Sequence, residues 1–129
     1  MTNPSTLADD ANYHARRFFD TQGKLHPHVI DLGSGHYAKP YMSATWTDAS
    51  TTALAGWQLL HPKGNNAATG AYAGSPWCLG SVAFDLPETA AARGPKWTVE
   101  QMEPLTISPS VACDCGDHGF IREGRWVSA

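Results

Sequence analysis

The segment Cys113-Asp114-Cys115-Gly116-Asp117-His118-Gly119 concentrates two thiols and an imidazole within six residues. Thiolate and imidazole are the preferred donors of Zn2+, which takes four of them in a tetrahedron. Cys115 and His118 stand at C-x-x-H spacing, and Gly116 and Gly119 supply the dihedral freedom of a tight knuckle. Cys113 lies two residues before Cys115, so in an extended strand both thiols share a face. Only half of a standard zinc knuckle is local, and the fourth ligand must come from elsewhere in the chain. Cys78 and His61 are the first candidates. A metal held this way is expected to be structural, with Asp114 or Asp117 orienting an imidazole beside it. The competing reading is a turn with reduced thiols and a capping histidine. In that reading Cys78 is a small hydrophobe on a buried strand, and His61 is an exposed residue before Pro62.

Other groupings carry less. His26, His28 and His36 form a small histidine-rich stretch that could hold a metal. Asp85, Glu100 and Glu103 are acidic, but no spacing brings them together, so solvated surface is their default. Gly33-Ser34-Gly35 lacks the strand-to-helix context of a nucleophile elbow and the third glycine of a dinucleotide loop. The tryptophans at 46, 57, 77, 97 and 126 all fall in or beside strand-like segments. Core packing accounts for most of them. Trp46 and Trp57, with Phe18 and Phe19 of the N-terminal stretch, are the expected interface anchors, since aromatic residues dominate contact hot spots.

The elements that must position these residues read as β-structure. Residues 1–25 look like an arm or a short helix, capped by Thr6 or Asp9 and carrying Leu7, Tyr13, Phe18 and Phe19. Residues 27–40 carry loop chemistry, rich in His, Gly and Pro. From Tyr41, the residues Met42, Ala44 and Trp46 alternate with polar ones at a period of two. A turn over 48–52 leads to a second strand, Trp57 to Leu60. Residues 63–76 form a long Gly/Asn/Ala loop, and loops of that length are usually functional or disordered. Trp77 to Leu86 is the clearest strand, with Cys78, Val82, Phe84 and Leu86 on one face. Short strands follow at Trp97–Val99 and around Leu105, Ile107 and Val111, where Pro104 and Pro109 point to an edge or a bulge. Arg122-Glu123-Gly124 between apolar pairs predicts a closing hairpin. The expected fold is mainly β, a small antiparallel sandwich or barrel-like domain with long Gly/Pro-rich loops. Residues 1–40 form its arm and loop, and 41–129 its body.

Composition narrows the function classes. The 129 residues carry a net charge of -3, only 16% charged residues, 12 Gly, 9 Pro and 5 Trp. Charge-rich heptads are missing, which excludes a coiled coil. No basic face exists for a nucleic-acid backbone, and no apolar run reaches the length of a membrane span. The N-terminal residues lack a signal-peptide pattern. The 3 cysteines, an odd number, argue against a disulfide framework and for reduced thiols or metal ligands.

The run Glu103-Pro104-Leu105-Thr106-Ile107-Ser108-Pro109-Ser110-Val111, the Cys113–Phe120 turn and the closing Gly124-Arg125-Trp126 resemble a family of small uncharacterised proteins of tailed bacteriophages and prophages, especially actinobacterial ones. The resemblance covers about residues 77–127. It implies a phage origin, a compact β-rich fold and a shared cysteine–histidine turn, and it implies no activity. With the low charge and the aromatic content, it leads to the expectation of a non-enzymatic virion protein. Such a protein would be a capsid decoration, a minor capsid protein or a tail-associated component, made in the host cytoplasm. It would contact copies of itself and other structural proteins through the arm and the 63–76 loop. An intracellular accessory protein that binds a host factor is the alternative, and a zinc-dependent hydrolase is a third reading.

Overall fold

The computed structural model describes residues 13–44, 52–62, 77–84, 97–113 and 115–129. Trp46, Asp85, Leu86, Asp114, the first twelve residues and the 63–76 loop lie outside them. The fold is mainly β and antiparallel. Among the described residues one helical turn, α1 (Tyr13–Arg16), precedes nine strands: β1 (Ile30–Gly33), β2 (His36–Ala44), β3 (Thr52–Pro62), β4 (Trp77–Ala83), β5 (Thr98–Gln101), β6 (Thr106–Ser108), β7 (Val111–Ala112), β8 (His118–Arg122) and β9 (Arg125–Ser128). The first four strands make a four-stranded sheet in sequential order. β5 and β6 form a ribbon, and β7, β8 and β9 a three-stranded sheet.

Alternation along β3 explains the layering. Trp57, Leu59 and His61 project to one face, Gln58 and Leu60 to the other. The first face meets the β6 and β7–β9 residues in one core of Leu32, Ala38, Trp57, Leu59, Val82, Phe84, Leu105, Ile107, Val111, Ile121 and Trp126. Leu60 on the opposite face packs with Ala15, Phe18 and Trp77, flanked by Phe19, Tyr37 and Leu79. The N-terminal stretch from Tyr13 is thus docked on the outer face of the sheet. Phe18 and Trp57 are 0% and 4% exposed, so these two expected interface anchors are core residues instead. Phe19 is half-buried, with its ring edge-on to Tyr37 at 4.9 Å.

Residues 27–40, expected as loop, contain β1 and the start of β2. Their glycines mark a turn rather than an extended loop. Gly33, Ser34 and Gly35 all have positive φ (80°, 55° and 76°), and Asp31 Oδ1 accepts a 2.9 Å bond from the Gly33 N–H. The sheet therefore begins at Ile30, ahead of the boundary expected at 40. Pro40 is tolerated because β1 pairs β2 only as far as Ala38. The closing hairpin is present. Arg122 pairs Arg125 across a tight turn, and Glu123 and Gly124 have φ of 50° and 74°. Positive φ at both central residues is the geometry that suits the twist of paired strands.

Candidate functional site

His61 on β3 pairs directly opposite Cys78 on β4, and both project from the inner face of the sheet. Cys113 and Cys115 arrive from the turn between β7 and β8. The ligand atoms of His61, Cys78, Cys113 and Cys115 all lie within 4.8 Å of one another. The Cys78 and Cys113 sulfurs are 3.7 Å apart, and Cys115 Sγ is 4.0 Å from His61 Nδ1. A tetrahedron with Zn–S bonds of about 2.3 Å has sulfur–sulfur edges of about 3.8 Å, so the cluster has the dimensions for zinc.

The surroundings fit as well. His61 Nδ1 faces Pro62 O at 2.9 Å and Asp117 Oδ2 at 3.3 Å. Its Nε2 is buried and has no hydrogen-bond partner. The nitrogen that approaches Cys115 Sγ is Nδ1, and the ring stands within the same ligand set as the three thiols. Desolvation holds the His61 pKa below the ordinary imidazole value, although the Pro62 carbonyl and Asp117 pull it upward. Desolvation, with Cys113 and Cys115 close by, pushes the Cys78 thiol up to about 12. The Cys113 thiol is also raised, chiefly by desolvation. These shifts favour the neutral forms of His61, Cys78 and Cys113, and a divalent ion would supply the charge that thiolates require.

Asp117 ties this cluster to the N-terminal hairpin. Its Oδ2 lies 2.6 Å from His36 Nε2, while His36 Nδ1 donates to Ser34 O at 2.8 Å. The His36 ring is stacked on Trp126 at 4.0 Å. Trp126 in turn lies across Gly119, where an added Cβ would meet Trp126 Cε2 at 2.5 Å. Of the histidine-rich stretch, His36 is therefore a partner of Asp117, and His26 Nε2 is 3.2 Å from Arg16 O.

His118 does not join the metal cluster, which corrects the expected C-x-x-H knuckle. It is the first residue of β8, and strand alternation turns it outward while Gly119 and Ile121 point to the core. On that outer face its Nε2 is 3.0 Å from Ser110 Oγ. The register explains the meeting. Ala112 pairs His118 and Val111 pairs Gly119, so Ser110 is a diagonal cross-strand neighbour of His118. Trp97 Nε1–H donates to Ser110 O at 3.2 Å and fixes the backbone there. Among the described residues no carboxylate lies within 4 Å of His118. Sequence reasoning gave Ser110 no role. Its signal, a serine eight residues before a histidine, has meaning only once the hairpin register is known.

The sequence model of one family matches residues 73–129, less than half of the chain: the bacterial ubiquitination-like system serine protease BubE. The matched region contains Ser110, His118 and the three cysteines, and leaves out His61. No curated protein and no solved structure matches.

Proposed function

We propose that the chain is a serine hydrolase, with a peptide bond of a protein as its substrate. Ser110 is the nucleophile and His118 its general base. The observation that carries the reading is the 3.0 Å approach of Ser110 Oγ to His118 Nε2 on an exposed face. A serine hydroxyl is a weak nucleophile until an adjacent base takes its proton. The match to a serine-protease family over residues 73–129 supports the class of reaction and suggests a peptide substrate within a ubiquitination-like system.

The chemistry follows from that pair. As Ser110 Oγ attacks the scissile carbonyl carbon, its proton passes to His118 Nε2. His118 then returns the proton to the leaving amine as the C–N bond breaks, which leaves an ester on Ser110. Water, deprotonated by His118, cleaves the ester and restores both side chains. The cluster of His61, Cys78, Cys113 and Cys115 would hold a structural zinc, because four protein ligands leave no open position for a reacting water. Its place is informative: Ser110 precedes Cys113 by three residues and His118 follows Cys115 by three. An ion there would pin the turn from which both catalytic arms leave.

This reading departs from the expected non-enzymatic virion protein, which rests on sequence resemblance and does not account for the Ser110–His118 pair. The test is labelling with a fluorophosphonate probe, which reacts only with an activated serine. Wild type should gain one adduct, mapped to Ser110 by mass spectrometry. Ser110→Ala should gain none, and His118→Ala should react at least roughly a hundredfold more slowly. Equal labelling of Ser110→Ala and wild type would overturn the assignment.

A further inference from the structure

The solvent face of β8 continues past His118. Strand alternation puts His118, Phe120 and Arg122 on that face in a row, with Gly119 and Ile121 buried beneath. The rings of His118 and Phe120 are 6.4 Å apart. The Arg122 guanidinium lies over the Phe120 ring, 4.1 Å from its centre, so it is turned back toward the Ser110–His118 pair. Val127 of β9 pairs with Phe120 and is 42% exposed, which widens the apolar floor between the pair and the arginine. Among the described residues Arg122 has no carboxylate within 4 Å. The neighbouring Arg125 pairs Arg122 across the hairpin and also lines a cavity of about 740 Å³ with Glu103 and Glu123.

An exposed guanidinium held over an aromatic ring, with no described carboxylate within 4 Å, can receive a carboxylate bidentately. The chain as a whole carries a net charge of -3, so Arg122, with Arg125 opposite it in the hairpin, sets a local preference that the bulk charge opposes. With 6.4 Å between the two rings and 4.1 Å from the Phe120 ring to the guanidinium, the Arg122 head lies within roughly 10 Å of the His118 ring, or about three residues of extended substrate.

We propose that this face is the substrate-recognition surface of the hydrolase. It selects peptides with an apolar side chain near the scissile bond and a carboxylate about three residues from it. Phe120 and Val127 take the apolar side chain, and Arg122 takes the carboxylate. The carboxylate is either an acidic side chain or a chain terminus, chemically alike to a guanidinium. The proposal rests on the Ser110–His118 reading only for its location, and it can be tested separately from it.

The probes are fluorescein-labelled octapeptides with a central Leu. Each has one Glu, Gln or Lys three or four residues to either side and an amidated C-terminus. A parallel peptide has Gln and a free C-terminal carboxylate at the same spacing. Binding is read by anisotropy on Ser110→Ala, and cleavage by chromatography on wild type. At one placement the Glu peptide should bind roughly tenfold more tightly than the Gln peptide. Arg122→Glu should abolish that preference and favour Lys, while Arg122→Lys should keep part of it. A free-terminus peptide that matches the Glu peptide identifies a chain end as the natural group; one that matches Gln identifies a side chain. Equal binding of Glu and Gln peptides at every placement, or a preference that survives Arg122→Glu, overturns the proposal. Carboxylate-dependent binding with no cleavage and no labelling of Ser110 would sink the hydrolase reading and leave acid recognition standing.

Discussion

Ser110 and His118 meet because one short hairpin brings them face to face. Two features hold the serine side of that meeting: the strand pairing of Val111 and Ala112, and the bond from Trp97 Nε1–H to Ser110 O. The second can be removed without disturbing much else. Trp97→Phe keeps a large ring against the core but takes away the donor. A single neutral hydrogen bond is worth about 1 kcal/mol, so thermal stability should fall little. Fluorophosphonate labelling of Ser110 should slow several-fold, because the nucleophile's backbone is less firmly held. An unchanged labelling rate would show that strand pairing alone positions the serine. At this scale the grouping of His61 and the three cysteines was partly legible in the sequence: thiols and imidazoles have few uses in a buried position, and Cys78 and His61 were the first candidates to join the turn. His118 was not legible, because C-x-x-H spacing is the same in a knuckle and in a turn that enters a strand. Only the position of β8's first residue separates the two.

The strands decide which side chains face which way, and Gly119 sits at the tightest point of that arrangement. It lies between His118 and Phe120 on β8, and its missing side chain leaves room for Trp126 and, through the stacked ring, for His36 and Asp117. Gly119→Ala puts a methyl group within 2.5 Å of two indole carbons and 2.7 Å of Val127 O. Neither the indole, stacked on His36, nor the paired backbone can withdraw freely. Overpacking of this kind costs about 1–3 kcal/mol, so the variant should melt several degrees lower. Its Trp126 fluorescence should also change. A variant as stable as wild type would mean that Trp126 moves without cost. At the other end of the hairpin, Gly124 has a φ of 74°, and a Cβ there would lie 3.2 Å from Pro104 Cβ. Gly124→Ala should cost about 1 kcal/mol, read in the same melts. The hairpin was visible in the sequence because Glu-Gly between apolar pairs is turn chemistry. The β1–β2 hairpin was not, since Gly33-Ser34-Gly35 among histidines and prolines looks the same whether the flanks pair or wander. Only the partner strand β3, distant in sequence, draws them into the sheet.

At the scale of the whole molecule, the cluster of His61, Cys78, Cys113 and Cys115 joins two layers. Its first two members come from the four-stranded sheet and its last two from the turn between the first two strands of the three-stranded one. In a chain of 129 residues, a core of this size leaves modest stability to spare, and a four-ligand zinc adds its binding free energy to folding. Removal of the metal therefore has a definite expected pattern. Protein purified without chelator should contain one zinc per chain. Prolonged treatment with a strong chelator should lower the melting temperature by ten degrees or more, on the order expected when a structural ligand is lost. Labelling of Ser110 should fall in parallel, because the turn that carries Ser110 and His118 on its two arms loosens. Readdition of zinc should restore both together. Cys78→Ser should reproduce the chelated state: less than one zinc per chain, a lower melting temperature and slower labelling. Loss of labelling with the melting temperature unchanged would instead place the metal at the reacting centre. Retention of both in metal-free protein would return the three thiols to the role of buried, reduced side chains.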